Sequence, residues 1–234
     1  MTFNTTAIIL NRRAFKESDL LVTFLSRDFG KMTAMAIGAK KIKSKLAGHL
    51  EPLREVKLMV AVGREIHKLG QAVTTNTFGV QHNQTPEAVW QAQRAARLVE
   101  KVSPQWQKET KIYDFFKNFL ALNFQTKFFP NLWSFFSFEL LRLTGLAPEL
   151  QDCLHCHEAI SLGQNRFDFL HGGLICCACA AKTKEENQPI SNEAIKVLRY
   201  LQHYSLAKSL ALKLSDNLSL EIKNLAENFV TYQI

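Results

Sequence analysis

The sequence predicts a multi-domain α+β fold: a five-stranded N-terminal β-barrel over residues 1–80, then an all-helical domain over residues 81–234 with a small insertion at about residues 150–182. Three observations predict it. Short apolar or β-branched runs fill the first third of the chain, and from Thr85 the apolar spacing becomes helical. All five cysteines fall within residues 153–179. A chain of 234 residues, 47% hydrophobic and 21% charged, can build such cores and is not a disordered or low-complexity polymer.

The expected strands are residues 5–10, 20–25, 32–37, 55–62 and 65–74, separated by turn chemistry such as Asp28-Phe29-Gly30-Lys31 and by Gly63. Alternation is clearest at Val56, Leu58, Val60 and Val62, as a half-buried antiparallel strand requires. Five short strands in so few residues point to an OB-type barrel. Residues 38–52 have no strand period and hold four lysines, so they read as an exposed basic loop or short helix.

Thr85-Pro86-Glu87 is a helix start, with an N-cap hydroxyl, Pro at the first helical position and an acid in the first turn. Ala88, Val89, Ala92, Ala95, Ala96 and Val99 continue it, and Ile112, Phe115, Phe116 and Phe119 mark a second helix. The third, at about residues 131–144, is apolar almost all round and belongs in the core of the second domain. Two more helices start near Ser191 and Leu218. Nine of the 17 Phe lie in residues 115–138, a cluster that reads as core rather than as a binding groove. The boundary between the domains is expected near residues 79–85.

The start of the chain has no charged region before its short apolar run and no small-residue cleavage site. The apolar stretch at 128–143 is broken by Pro130, Asn131, Ser134, Ser137, Glu139 and Arg142, so it is too polar to span a membrane. A soluble cytoplasmic protein is expected. Of the net charge of +8, +7 belongs to residues 1–80, which carry 13 Lys+Arg against 6 Asp+Glu. Attraction to polyanions is therefore expected there, and nucleic acid fits better than a membrane, because no basic helix with an aromatic face accompanies the charge. The candidate cations are Lys40, Lys41, Lys43 and Lys45 in one connecting segment, with Arg12, Arg13, Arg27 and Lys31 on neighbouring strands or turns. Residues 1–80 contain no Trp or Tyr, so binding is expected to rest on the phosphate backbone, with weak sequence preference.

Cys153-x2-Cys156 and Cys176-x2-Cys179 form a two-knuckle pattern in which paired thiolates chelate one tetrahedral Zn2+. Between the pairs, residues 167–175 read as a hairpin whose Gly172-Gly173 turn returns the second pair to the first. Buried thiols, or an iron-sulfur or redox site, are the competing readings. Cys177 is surplus, and His155 and His157 lie beside the first pair without being needed as ligands. A zinc deaminase would need H-x-E followed by P-C-x-x-C, but beside the cysteines His157-Glu158 lacks the spacer and Cys176 is preceded by Ile175 rather than Pro. A four-thiolate site is closed to water, so the metal is expected to be structural and the protein not an enzyme.

The runs Ala7-Ile8-Ile9-Leu10-Asn11-Arg12-Arg13, Glu17-Ser18-Asp19-Leu20-Leu21-Val22-Thr23, Gly30-Lys31, Gly38-Ala39-Lys40-Lys41, Lys43-Ser44-Lys45-Leu46 and Leu50-Glu51-Pro52-Leu53 stand in a characteristic order. With His171-Gly172-Gly173-Leu174-Ile175-Cys176, they make the chain resemble the RecO family of bacterial DNA repair and recombination mediators. The resemblance covers both domains. It implies an OB-fold joined to a helical domain, binding of single- and double-stranded DNA, annealing of complementary strands, and help in loading recombinase onto strands coated by single-strand-binding protein (SSB) in the RecF pathway. It implies RecR and SSB as partners, RecF and RecA as indirect ones, and a place at the bacterial nucleoid. By the same match, Lys40, Lys41, Lys43 and Lys45 inherit DNA contact, and Cys153, Cys156, Cys176 and Cys179 inherit the Zn2+. An RNA-binding or ribosome-associated module is the alternative, since a barrel plus a zinc lobe suits RNA on physical grounds.

Overall fold

The computed structural model describes residues 1–78, 85–123, 131–182 and 187–234. The chain forms two compact units, Met1–Phe128 and Phe129–Ile234.

In the first unit, β1 (Thr2–Phe15), β2 (Asp19–Ser26), β3 (Gly30–Ala36), β4 (Glu55–Ala61) and β5 (His67–Asn76) make one sheet in the order β1-β2-β3-β5-β4. The order closes, because β4 also pairs with β1, Thr2 to Ala61 through Ile8 to Glu55. All pairings are antiparallel except β3 with β5, a short parallel join of Ala34 to His67 and Met35 to Lys68. The inward face follows from the period of two: Ala7 and Ile9, Val22 and Phe24, Met32 and Ala34, and Val56, Leu58 and Val60 bury together. Ile8 and Leu25 are also fully buried, and helix α1 (Pro86–Val102) packs against both β1 and β2.

The strand boundaries differ from the expected ones by up to three residues, leaving Val62 exposed beyond the end of β4, and by five at the end of β1. β1 runs on through Asn11-Arg12-Arg13-Ala14-Phe15, which pair with residues 19–23 of β2 past an irregularity between Ile9 and Asn11. Asn11, Arg12 and Arg13 are polar and extend the strand by backbone pairing, so the segment carries no hydrophobic alternation. β3 stops at Ala36, because Gly38 takes a φ of +65° that turns the chain, and Ile37 is left exposed. Gly30 is required at the preceding turn: its φ is +72°, and a Cβ there would lie 1.9 Å from the Gln107 carbonyl oxygen.

The start of α1 is as expected, with the Thr85 hydroxyl accepting the Ala88 N–H and Pro86 in the first turn. Helix α2 (Thr110–Asn123) belongs to the same unit. It is fixed to β4 through Glu55, a carboxylate only 5% exposed, which accepts hydrogen bonds from Tyr113 Oη and Lys117 Nζ, each at 2.6 Å.

The second unit is built around α3 (Leu132–Leu143), whose aromatic and leucine side chains are buried almost all round. It packs against α5 (Asn192–His203), α6 (Leu206–Ser209) and α7 (Asp216–Gln233). Most of the described phenylalanines of the cluster are core, Phe116 and Phe119 in the first unit and Phe135, Phe136 and Phe138 in the second; Phe115 is half-buried, and Phe124, Phe128 and Phe129 lie outside the described residues. The cysteine lobe holds β6 (Arg166–Asp168), β7 (Gly173–Ile175), the short α4 (Cys177–Ala180) and β8 (Asn187–Pro189). Its sheet order is β7-β6-β8. Phe167 of β6 meets Phe229 of α7 edge-on at 5.6 Å, which ties the lobe to the helices. Among the described residues no helix is long and apolar enough to cross a membrane.

Candidate nucleic-acid interface and candidate metal centre

The four lysines sit on an anchored turn rather than a free loop. Asp19 Oδ1 accepts the Gly38 N–H at 2.8 Å, and the Lys40 N–H donates to the Ser18 carbonyl at 2.9 Å. Ala39 is buried, and Leu46 packs against the interior of the sheet from the far end of the segment. Between these anchors Lys41 and Ser44 close successive turns, Lys41 N–H to Gly38 O and Ser44 N–H to Lys41 O. Lys40, Lys41, Lys43 and Lys45 are all exposed, and among the described residues none has an acid within ion-pair distance. Four unneutralised cations on a short fixed segment add their fields toward solvent.

The other four candidate cations are placed differently. Arg13 is exposed on the outer face of β1 and lines a cleft of about 200 Å³ with Asn11, Thr23, Thr33, Lys31 and Gln105. Lys31 points its ammonium at the Glu100 carbonyl in the last turn of α1, where a cation complements the helix dipole. Burial there lowers its pKa, although the Glu100 charge acts the other way. Arg12 is bound to Glu51 at 2.7 Å, and Arg27 faces Asp114 of α2 at 3.8 Å. Lys40, Lys41, Lys43, Lys45 and Arg13 are therefore the candidate cations with neither an acid in ion-pair reach nor a carbonyl held by the side chain among the described residues. Glu100 and Gln105 reach the cleft from far along the sequence, and no local pattern announces them.

The cysteine pairs are brought together. The sulfur atoms of Cys153, Cys156, Cys176 and Cys179 all lie within 4.8 Å of one another, with Cys156 to Cys176 at 3.9 Å. Four thiolates around one zinc at about 2.3 Å would stand about 3.8 Å apart, so the group can hold a metal ion. Each pair is a closed knuckle. In the first, the His157 N–H returns to the Cys153 carbonyl at 2.9 Å, with His157 at a φ of +59°. In the second, the Cys179 and Ala180 N–H groups both return to the Cys176 carbonyl. The β6–β7 hairpin joins the knuckles, pairing Phe167 with Leu174, and its turn uses Gly172 at a φ of +73°. Gly173 is fixed by close approach, since a Cβ there would lie 2.8 Å from the Glu149 carbonyl.

The thiols are electrostatically uneven. Burial pushes Cys153 up, but N–H groups of Cys156, Cys176 and His155 directed at it outweigh that and bring it down to about 6. Cys179 is pushed up to about 12, first by its hydrogen bond with Cys176 and then by desolvation. Sulfurs this close cannot all be anionic unless a cation lies among them. Of the four only Cys153 is fully buried, which does not suit four thiols serving as core filler. Cys177, His155 and His157 are exposed and do not join the group.

Comparison with known proteins covers both units. The family model described as Recombination protein O N terminal matches residues 1–78, and that described as Recombination protein O C terminal matches residues 83–234. A DNA repair protein RecO from Roseiflexus sp. (strain RS-1) is 31% identical over 231 residues, spanning 98% of this chain and 80% of that protein. A DNA repair protein RecO from Dehalococcoides mccartyi is 28% identical over 221 residues, 94% of this chain and 86% of the relative. One from Syntrophus aciditrophicus (strain SB) is 28% identical over 233 residues, 98% and 90%. The two matches follow one another in chain order and take in the lysine segment and the cysteine group alike, so the chain belongs to the Recombination protein O family.

Proposed function

We infer that the chain is a non-enzymatic DNA repair and recombination mediator: it binds single- and double-stranded DNA, anneals complementary strands and helps load recombinase onto SSB-coated DNA. Membership of the family supports the mediator role. The observation that carries the contact surface is the anchored segment of Lys40, Lys41, Lys43 and Lys45, exposed and, among the described residues, with no acid in ion-pair reach of the ammonium groups. Phosphates neutralised there release counterions, and screening of the repulsion between two strands lets them pair. Arg13 extends this surface, while Arg12, Arg27 and Lys31 act from the same sheet through groups that already hold protein partners.

The closed order β1-β2-β3-β5-β4 with its one parallel join supports reading the sheet as an OB-type barrel. In such barrels the β2–β3 face and the loops after β1 and β4 receive nucleic acid. The lysine segment fits that reading, since it is bonded to Ser18 and Asp19 where the β1–β2 connection enters β2. On this reading residues 1–80 contact DNA and residues 81–234 form the helical domain with its metal lobe. Cys153, Cys156, Cys176 and Cys179 would hold a structural Zn2+, which supplies four metal–sulfur bonds that cross-link the lobe and leaves no position for a reacting water. The family resemblance extends the proposal to RecR and SSB as direct partners, to RecF and RecA as indirect ones, and to the bacterial cytoplasm at the nucleoid.

The test is annealing of complementary oligonucleotides coated with SSB, with an uncoated control and a salt series. Acceleration on coated strands that fades at high salt is expected. Binding without annealing at any salt concentration would remove the mediator reading and leave a general nucleic-acid module.

A further inference from the structure

Trp106 lies outside the first 80 residues, in the connection between α1 and α2, yet the fold lays it on the sheet. Its backbone N–H donates to the Lys31 carbonyl at 3.1 Å, and Gln105 bridges Lys31 as a short parallel addition to β3. The indole meets the His67 ring edge-on, with centroids 4.6 Å apart and planes at 74°. Trp106 has a φ of +58°, a left-handed conformation that a bulky side chain rarely adopts. A residue held this way as a hydrophobic plug would be covered, but 48% of Trp106 is in solvent. Local strain is therefore spent on presenting an indole rather than on burying one.

Its surroundings are polar and carry cations, with Glu100 the one acid among the described residues that lines the neighbouring cleft. His67 opens β5 directly after the β4–β5 connection, which carries the exposed Arg64. The Arg13 cleft, lined by Asn11, Thr23 and Thr33, reaches Gln105, the residue before Trp106. The lysine segment begins where β3 ends at Ala36, and Trp106 is bonded at Lys31, so the two flank the length of one strand, about 17 Å. Cations and polar groups thus lead from the lysines toward an exposed π-face.

We propose that Trp106 is a base-stacking platform for single-stranded nucleic acid: phosphates are held by the lysine segment and Arg13, and an unpaired base lies on the indole beside His67. This rests on the DNA-binding reading above and adds to it a contact that phosphate recognition alone lacks. Stacking on an aromatic ring tolerates any base but requires that the base be free of its own stack. Trp106 therefore favours single strands over duplex, whereas the lysines serve both.

The test uses the chain's own fluorescence. Of its three tryptophans, Trp133 is buried, and Trp90→Phe leaves Trp106 as the one exposed indole. Titration of the Trp90→Phe protein with oligothymidylate is expected to quench its emission, saturating with the bound fraction measured by anisotropy. Trp106→Ala is expected to lose tenfold or more in single-strand affinity with duplex affinity within twofold and an unchanged salt slope; Trp106→Phe keeps most of the affinity. Unquenched emission at saturation, or Trp106→Ala binding single strands as well as the parent, overturns the platform while leaving the DNA-binding reading in place. An equal loss on single strands and duplex also overturns it, marking Trp106 as packing. If the parent binds neither, both readings fall.

Discussion

Asp19 Oδ1 holds the Gly38 backbone N–H at 2.8 Å, and this bond joins the start of β2 to the segment that carries four lysines. The carboxylate is only 7% exposed, and the Ser18 hydroxyl also donates to it. A buried acidic side chain thus positions a basic surface without neutralising it, because it bonds to backbone rather than to an ammonium group. Asp19→Ala leaves the Gly38 N–H without its acceptor, at a cost of about 1–3 kcal/mol. The expected outcome is that loss in urea unfolding, with faster amide exchange across residues 38–45. Stability within about 0.5 kcal/mol of the parent would show that the bond does not fix the segment.

Charge reversal of the lysines tests the surface itself. With Lys40, Lys41, Lys43 and Lys45 all changed to Glu, DNA affinity is expected to fall on every sequence and on single and double strands alike. If all four meet phosphate, the slope of log affinity against log salt should flatten by about 3. Because the side chains are exposed and unpaired, thermal stability should hold. Affinity and slope unchanged over several salt concentrations would place the DNA elsewhere.

Glu55, Tyr113 and Lys117 hold α2 on the sheet, and their contributions separate by burial. Tyr113 is 1% exposed, whereas the Lys117 side chain is 40% exposed and its ion pair is largely screened. Tyr113→Phe should cost about 1–2 kcal/mol, Lys117→Met about 1 kcal/mol or less, and Glu55→Ala more than either, since it strands both donors. The pair also sets an alkaline limit. Burial, followed by the hydrogen bond to Glu55, raises the Tyr113 phenol above its ordinary value. A raised pKa in the folded state stabilises fully below the unfolded value near 10 and loses that stabilisation as pH climbs past it. Stability of the parent should therefore fall faster above about pH 10 than that of Tyr113→Phe; parallel curves from pH 8 to 11 would refute the linkage.

How much of this was legible depended on whether the signal was local. Val56, Leu58 and Val60 announced β4 because each faces one interior, and Thr85-Pro86 announced α1 because a cap is a property of adjacent residues. The cysteine group was legible for the same reason, since its ligands come in two short pairs. Residues 11–15 of β1 were missed because their strand rests on pairing to β2 rather than on apolar alternation, and β8 is three residues without any pattern. The bonds of Glu55 to Tyr113, Lys31 to Glu100 and Trp106 to Lys31 connect residues more than 50 positions apart. A polar pair at such a distance leaves no period or spacing to read. The absence of Trp and Tyr from residues 1–80 argues against base stacking on the N-terminal sheet, but the fold brings in an indole from beyond that range.

The cysteine group makes the last prediction, and it separates the metal from the DNA surface. The purified chain is expected to carry one equivalent of zinc by elemental analysis, and Cys153→Ser and Cys176→Ser to carry little. Metal bound only to the folded lobe stabilises by mass action, so a chelator should lower the melting temperature by several degrees and added Zn2+ should restore it. Cys177→Ser should retain the metal, because Cys177 lies outside the group of four sulfurs. The lysine segment is anchored by Asp19, Ser18, Ala39 and Leu46, all within the first unit. DNA affinity measured below the melting temperature should therefore survive chelation within about twofold. A chain that binds no zinc, or whose melting temperature ignores the chelator, would assign the four thiols another chemistry. A parallel loss of metal and DNA binding would instead place part of the DNA contact on the lobe.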